Sequence, residues 1–210
     1  MLVLEVLVEE PSSESACETL IPRIEPRHRL DETFRVRAFN GKADLLRKLP
    51  ARLKGYAASA YIADVTMLVV VDRDDDDCVD LKRSIERMVV EAGLLPLGSR
   101  RAASAGCVKV RVACEELEAW YIGDPAALRS AYPRLPKAFE NRAVFRSPDG
   151  VNGGTWERLE RLLQTSGYFP GGLRKLQLTR AVAKFMDPKR NTSPSFQSFC
   201  DAVRQLSAFD

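Results

Sequence analysis

The sequence predicts an α/β fold in which a parallel sheet is flanked by helices and followed by a C-terminal helical extension. Strand-like segments alternate with helical patterns from residue 1 to about residue 120. Beyond that point, the apolar residues keep a helical spacing and no further strand pattern occurs. Strands that alternate with helices are typical of a parallel sheet with crossover connections. We therefore expect an α/β domain over residues 1–135 and a helical subdomain over residues 136–210 packed on it.

Four segments are predicted to form the strands. Residues 2–8 are apolar except for Glu5, and residues 67–71 are entirely apolar, which is typical of strands covered on both faces. In residues 33–39 and 108–112, apolar and polar side chains alternate, as in strands with two different faces. Along the chain, these segments are separated by helical patterns, as a parallel sheet requires.

Apolar residues at helical spacing predict helices over residues 13–21, 45–53, 81–93, 117–122 and 125–132. We expect Pro50 to interrupt or kink the second of them, because proline lacks the backbone N–H. After a loop over residues 136–154, helical spacing returns in residues 155–163, 173–185 and 194–206. Thr155 is a candidate N-cap for the first of these, and Ser193 followed by Pro194 is a typical helix start.

Composition indicates an ordinary globular protein with a mild charge asymmetry. The 210 residues are 45% hydrophobic and 29% charged. A net charge of +3 is too small to indicate nucleic-acid binding. Residues 155–210, however, carry nine basic and five acidic side chains, whereas residues 1–154 carry 23 and 24. This asymmetry is mild support for an anionic partner.

Cysteine and histidine content excludes several kinds of site. His28 is the only histidine, so a Ser-His-Asp triad or a multi-histidine zinc site cannot be built. We expect it to lie exposed in a loop. The cysteines are odd in number and no pair has CxxC spacing, which argues against a zinc site or a disulfide framework. Reduced thiols are the simpler interpretation.

The apolar N-terminal segment is interpreted as a strand and not as a signal peptide. It is short, contains Glu5 and lacks a basic region before it. No apolar run reaches the ~20 residues that a membrane-spanning helix needs. We therefore expect a cytoplasmic protein that has no membrane partner.

Two acidic segments follow predicted strands. Glu9 and Glu10 end the first strand, and Asp72 and Asp74 come directly after the buried third strand. Ligands of open parallel sheets bind beyond the carboxyl ends of the strands. Asp72 and Asp74 are two residues apart, so in an extended segment they would face the same side. Oxygen ligands without histidine or thiolate favour Mg²⁺ or Mn²⁺, and Mg²⁺ commonly shares its ligands with a phosphate-bearing substrate.

A structural role for the acidic run is the alternative. Aspartates near a helix N-terminus are favourable, which would explain Asp76 and Asp77 but not Asp72, since Asp72 adjoins the apolar run. The EF-hand and P-loop patterns are absent. Three weaker features stay open: Glu118 could complete the site or start an exposed helix, Lys42 could bind phosphate or be solvated, and the glycines at 153 and 154 could cradle an anion or form a turn.

The same residues resemble known families. A glutamate after strand one and an Asp-x-Asp after strand three resemble the Toprim pattern. The whole chain more closely resembles the uncharacterised prokaryotic domain-of-unknown-function family 4276, through motifs at residues 41–46, 115–120, 153–157 and 186–191. Toprim domains of topoisomerases, primases and nucleases of the overcoming-lysogenization-defect type hold Mg²⁺ for phosphoryl transfer. The resemblance thus implies a Toprim-like sheet.

By that resemblance, the protein is a Mg²⁺-dependent (or Mn²⁺-dependent) phosphoesterase, a nuclease of prokaryotic anti-phage defence or DNA maintenance. The catalytic residues are then expected to be Glu9, Glu10, Lys42, Asp72 and Asp74. The expected metal ligands are Glu9, Glu10, Glu14, Asp72, Asp74 and Glu118. The Toprim glutamate is either Glu9 or Glu10, and the second choice places Glu14 one turn further on. Nucleic acid and an AAA-type ATPase are the implied partners. The alternative function is a non-catalytic sensor or docking subunit of that ATPase, contacting it through the apolar faces of the C-terminal helices.

Overall fold

A five-stranded parallel sheet forms the centre of the computed structural model, which describes residues 3–59, 65–97, 107–113, 116–150 and 154–208. The strands have the order β2-β1-β3-β5-β4, and all adjacent pairs are parallel. They are β1 Val3–Val8, β2 Phe34–Ala38, β3 Val65–Asp72, β4 Leu95–Pro96 and β5 Cys107–Ala113. The predicted fold class is confirmed. The two-residue edge strand β4 was not predicted, since it is too short to show a periodicity.

Helices connect the strands and continue beyond them. They are α1 Pro11–Ile24, α2 Lys42–Ala57, α3 Cys78–Glu91, α4 Glu118–Ile122, α5 Pro125–Ala131, α6 Thr155–Thr165, α7 Lys175–Val182 and α8 Pro194–Ser207. The predicted interruption at Pro50 is wrong, because α2 continues through it. The segment predicted as a loop before α6 contains three short 3₁₀ helices, Phe139–Asn141, Ala143–Phe145 and Pro148–Gly150.

Alternation along the strands divides the core into two layers. Leu4, Val6 and Val8 of β1 pack in one cluster with α1 and the helices from α4 to α8. Leu7 and the odd-numbered residues of β3, such as Val69, pack on the opposite face with α2 and α3. Burying such a side chain contributes about 1.5–3 kcal/mol. The boundary between residues 135 and 136 stays a prediction; the first cluster extends across it.

His28 corrects an expectation. The residue is only 6% exposed, and its Nε2 lies 2.7 Å from Oγ of Ser207 at the end of α8. Its Nδ1 lies 3.3 Å from Oγ1 of Thr33. The predicted exposed loop position is wrong, because α8 folds back over the segment that precedes β2.

A membrane-spanning helix is not found in the described ranges, where every helix is too short or too polar to cross a bilayer.

Candidate functional site

The candidate site lies where the sheet changes the direction of its connections. From β1 the chain leaves towards β2 on one side, and from β3 it leaves towards β5 on the other. The crevice between the carboxyl ends of β1 and β3 is therefore the topological switch point, the usual ligand position in open parallel sheets. Glu9 directly follows β1, and Asp72 is the last residue of β3. The strand order thus brings these two carboxylates together.

Glu9 and Asp72 are both 7% exposed, and Glu9 Oε1 accepts a hydrogen bond of 2.7 Å from the backbone N–H of Asp72. Burial raises the pKa of Glu9 to about 7, although that hydrogen bond opposes the shift. Burial, and then the charges of Glu9 and Glu118, raise the pKa of Asp72 well above its ordinary value. A site that makes two carboxylates this costly to ionise favours the binding of a cation.

Glu118, the first residue of α4, is the third buried carboxylate. It is 1% exposed, and among the described residues no hydrogen-bond partner meets either of its side-chain oxygens. Burial raises its pKa to about 7, although the nearby charge of Lys175 lowers it. A buried acceptor without a partner costs about 1–3 kcal/mol. The exposed helix start that was the alternative for Glu118 is therefore excluded.

Lys175, the first residue of α7, supplies the positive charge of the site. Its Nζ lies 3.7 Å from an oxygen of Glu10 and 3.7 Å from an oxygen of Glu116, and 5.4 Å from the centre of the Trp156 ring. Burial opposes its charge, but the carboxylates of Glu118, Glu10 and Glu116 raise the pKa of Lys175 above the ordinary value. An ammonium group thus lies beside the carboxylates.

Lys42, the first residue of α2, organises the acidic turn after β3. Its Nζ donates to the backbone carbonyl of Arg73 at 2.8 Å and pairs with Asp74 at 3.0 Å and Asp76 at 2.6 Å. Its side chain is only 15% exposed. Asp77 caps α3 by accepting from the N–H groups two and three residues on. Lys42 is therefore not a freely solvated lysine.

Asp74 differs from Asp72 in its backbone. β3 ends at Asp72, and Asp74 has a φ of +50° in the turn that follows. Its side chain is 49% exposed and is held by Lys42. The argument from strand alternation does not apply to it, because the chain is no longer extended at that point.

Glu10, Glu14 and Glu116 lie at the margin of the site. Glu10 accepts a hydrogen bond of 2.5 Å from Ser12, and Glu14 lies one turn further along α1. Glu116 accepts from Oγ1 of Thr155 and from the backbone N–H of Trp156, both at 2.9 Å. The N-cap of α6 is therefore Gly154 and not Thr155 as predicted; the start of α6 is satisfied by Glu116.

The donor chemistry of the site fits a hard divalent cation, although the side chains are not arranged around one. In the part of the chain that the structure describes, no three carboxylate, thiol or imidazole groups converge on a single point. The buried carboxylate oxygens of Glu118, Asp72 and Glu9 are nevertheless the ligand type that Mg²⁺ and Mn²⁺ prefer. Binding would require these side chains to converge and Lys175 to move away from them.

Sequence reasoning found the two strand ends and missed Lys175. Nothing in the α7 pattern distinguishes this lysine from an exposed one, since its partners lie far away in sequence. Glu116 was missed for a related reason, because its hydrogen bonds go to the start of α6. Residues 115 and 153, which belong to two of the motifs noted in the sequence, lie outside the described residues.

Comparisons with known proteins give one family and one structural neighbour. No curated protein matches the sequence. The chain is similar to a solved structure, the C-terminal region of the Burkholderia pseudomallei OLD protein, with 18% identity and a TM-score of 0.47 over 95% of this chain and 98% of that one. The family model described as domain of unknown function DUF4276 matches residues 8–204, so the chain belongs to that family, as its motifs predict.

Proposed function

We propose that the protein is a Mg²⁺- or Mn²⁺-dependent phosphoesterase of the Toprim type that cleaves nucleic acid in the prokaryotic cytoplasm. The observation that carries the proposal is the group of three buried carboxylates at the switch point, Glu9, Asp72 and Glu118. Neither oxygen of Glu118 has a hydrogen-bond partner among the described residues. Such a group is costly unless a cation joins it. A glutamate after β1 and an Asp-x-Asp at the end of β3 also match the Toprim pattern.

Glu9, Asp72 and Glu118 would hold the ion, and Glu10 would adjoin it. When bound, a divalent ion in such a site stabilises charge on phosphoryl oxygens and lowers the pKa of bound water. The chain's own residues would then bind and orient the substrate. Because Glu9, Asp72 and Glu118 are buried, their carboxylates cannot rotate freely towards solvent.

Lys175 is the residue that would contact a substrate phosphate. Its ammonium lies among Glu10, Glu116 and Glu118, and a cation placed there would repel it towards an incoming anion. Lys42 would be a positioning residue, because its ammonium is engaged by the carbonyl of Arg73 and by Asp74. Asp74 would support the turn and approach the ion only if Lys42 released it.

The alternative, a docking subunit for an AAA-type ATPase, needs the apolar faces of the C-terminal helices as its contact surface. Those faces are buried in the core, including Leu162 of α6, Val182 of α7 and Phe199 of α8. The surface that this alternative requires is not free. A role in anti-phage defence and an ATPase partner follow from the family resemblance alone and remain part of the proposal.

The proposal is tested by incubating the pure protein with labelled single- and double-stranded DNA and RNA in Mg²⁺, in Mn²⁺ and in EDTA. We expect cleavage with metal and none in EDTA, and a loss of about 100-fold or more for Asp72→Asn, since a missing electrostatic group in such a site commonly costs this much. Thermal melting should show stabilisation of the wild type by millimolar Mg²⁺.

Asp75→Asn is the matched control, because Asp75 is an exposed acid of the same turn. It should cleave and melt like the wild type. Cleavage that persists in Asp72→Asn, or a metal-dependent melting shift equal in both variants, would show that the buried carboxylates are not the metal site.

A further inference from the structure

A second concave site lies beside α6, away from the acidic crevice. It is a cavity of about 470 Å³ between α6 and the 3₁₀ helices that precede it. Its floor is apolar and includes the buried side chains of Ile122, Phe145 and Leu162. Its size is within the ~300–1,000 Å³ range of small-ligand pockets.

Three arginines line this cavity: Arg142, Arg158 and Arg161. Arg158 and Arg161 are three residues apart on α6, so they lie on the same side of the helix. No carboxylate is among the lining residues that the structure describes. The cavity therefore combines an apolar floor with guanidinium groups at its walls.

The acidic residues nearby in sequence are engaged elsewhere, and the carboxylate of Glu157 lies against Gly154 at the start of α6. Glu140 pairs with Arg129 at 2.7 Å, and Glu160 accepts from the backbone N–H of Leu173 at 2.8 Å. Asp149 accepts from Ser193 at the start of α8. Arg158 has a contact of its own, whereas no carboxylate of the described residues is paired with Arg142 or Arg161. The cavity is therefore complementary to an anion through these two arginines.

We propose that this cavity binds a nucleotide, with the phosphate on the arginines and the base against Phe145 and Leu162. Guanidinium groups bind phosphate through paired, charge-assisted hydrogen bonds, and a base stacks well on an aromatic or apolar floor. A simple anion would not require the apolar floor, and an uncharged apolar ligand would not require Arg142 and Arg161 at the walls. This inference rests on the proposed function, because a nucleic-acid substrate would supply the nucleotide. It adds a binding site for one nucleotide of that substrate.

The path of α6 connects the two sites. Its first turn contacts Glu116 through Thr155 and Trp156, and Arg158 and Arg161 follow on the next two turns. Arg161 lies roughly 9 Å further along the helix axis than Thr155, which a strand that rises about 3.4 Å per nucleotide covers in about three steps. A nucleic-acid strand with a phosphate in the acidic crevice would therefore reach the cavity with a nucleotide about three positions further along.

The test is a binding measurement in EDTA, so that it does not depend on cleavage. Polarisation of a labelled single-stranded oligonucleotide and calorimetry with a mononucleotide are compared for the wild type, Arg161→Glu and Ala143→Trp. Arg161→Glu reverses a wall charge, and Ala143→Trp adds an indole at an exposed position of the lining. We expect each to weaken binding about tenfold or more, as for the loss of a charge-assisted contact.

Arg29→Glu is the matched control, because Arg29 is an exposed arginine before the edge strand β2 and does not line the cavity. Its binding should change far less than that of Arg161→Glu. Binding of the oligonucleotide alone would identify the source as nucleic acid, and binding of the mononucleotide alone would identify a free nucleotide; both support the site.

Three results would overturn the nucleotide site. They are no binding by the wild type, equal weakening by Arg29→Glu and Arg161→Glu, and unchanged binding in Ala143→Trp. Because binding is measured in EDTA and cleavage in Mg²⁺, the two proposals can fail separately. Cavity-dependent binding without cleavage would overturn the phosphoesterase proposal alone, and cleavage without cavity-dependent binding would overturn this one alone.

Discussion

Asp124 and Glu118 are two buried carboxylates six residues apart, and their surroundings are opposite. Asp124 is completely buried and accepts hydrogen bonds of 2.8 Å from Nε and Nη2 of Arg190 and of 2.8 Å from the N–H of Asp187. It also accepts from the N–H of Ala127 as the cap of α5. Glu118 is equally buried, and within the described residues neither of its oxygens meets a partner.

This difference distinguishes a structural motif from a functional one, although the two look alike in sequence. The motif at residues 186–191 holds the C-terminal helices to α4 and α5, through Arg190 on Asp124 and through Asn191, whose Nδ2 donates to the carbonyl of Trp120 at 2.7 Å. Its charges are satisfied and need no ligand. In the motif around Glu118, a buried carboxyl lacks a hydrogen-bond partner among the described residues. A fold tolerates such a cost where a ligand supplies the missing contact.

The largest expected effect comes from breaking the satisfied group. Asp124→Ala removes the partner of Arg190 and leaves the N–H groups of Ala127 and Asp187 without an acceptor. We expect the free energy of unfolding to fall by roughly 2–6 kcal/mol, because each N–H left without an acceptor costs about 1–3 kcal/mol. Arg190 adds less, since its side chain is 45% exposed and can be solvated. Urea unfolding followed by circular dichroism measures it.

An exposed ion pair serves as the control for that variant. Glu140 pairs with Arg129 at 2.7 Å, but both side chains are well exposed. Glu140→Ala should leave the unfolding curve nearly unchanged, because exposed pairs contribute little. Equal losses in Asp124→Ala and Glu140→Ala would mean that the Asp124 group does not hold the helices together.

A smaller effect is expected from the unsatisfied carboxylate as the pH changes. The pKa of Glu118 is about 7 in the folded protein, whereas the ordinary value is 4.5. The folded state therefore holds a proton that the unfolded state has already released between these values. Without metal, stability should fall as the pH rises from about 5 to 7, by about 2–3 kcal/mol for this group.

Glu118→Gln isolates that contribution, since it keeps the shape and removes the titration. In EDTA, the stability of Glu118→Gln should depend less on pH than that of the wild type. At pH 8, the variant should be more stable than the wild type. Urea unfolding at several pH values gives both curves. If the stability of the wild type rose between pH 5 and 7, with the same slope in the variant, the buried Glu118 carboxylate would not be costly to ionise.

The fold was predictable because its signals are local. The apolar run that ends in Asp72 and the alternation in β2 and β5 place the strands, and helical spacing places the helices between them. Pro50 was misjudged because the packing of α2 on the sheet outweighs one missing backbone hydrogen bond. β4 has too few residues to show any period.

The site was predictable only where its residues follow strands. Glu9 and Asp72 end buried strands, and the carboxyl edge of a parallel sheet is a ligand position by topology. Glu118 was ambiguous and Lys175 was missed, because burial and the approach of α7 are set by tertiary packing. His28 was misjudged for the same reason, since the helix that covers it comes almost 180 residues later.

The smallest expected effect concerns the acidic turn after β3, where the loss of Asp77 is compared with the loss of Asp75. Asp77 accepts from the N–H groups of Val79 at 2.9 Å and Asp80 at 3.0 Å, and these bonds hold the pKa of Asp77 below its ordinary value. Asp77→Ala should lower the melting temperature by about 2–4 °C, as for the loss of one helix cap, whereas Asp75→Ala should leave it unchanged. Neither change should alter the response of the protein to Mg²⁺. If Asp77→Ala abolished that response, the cap and the metal site could not be treated as separate, and the division between satisfied and unsatisfied carboxylates would not hold within this turn.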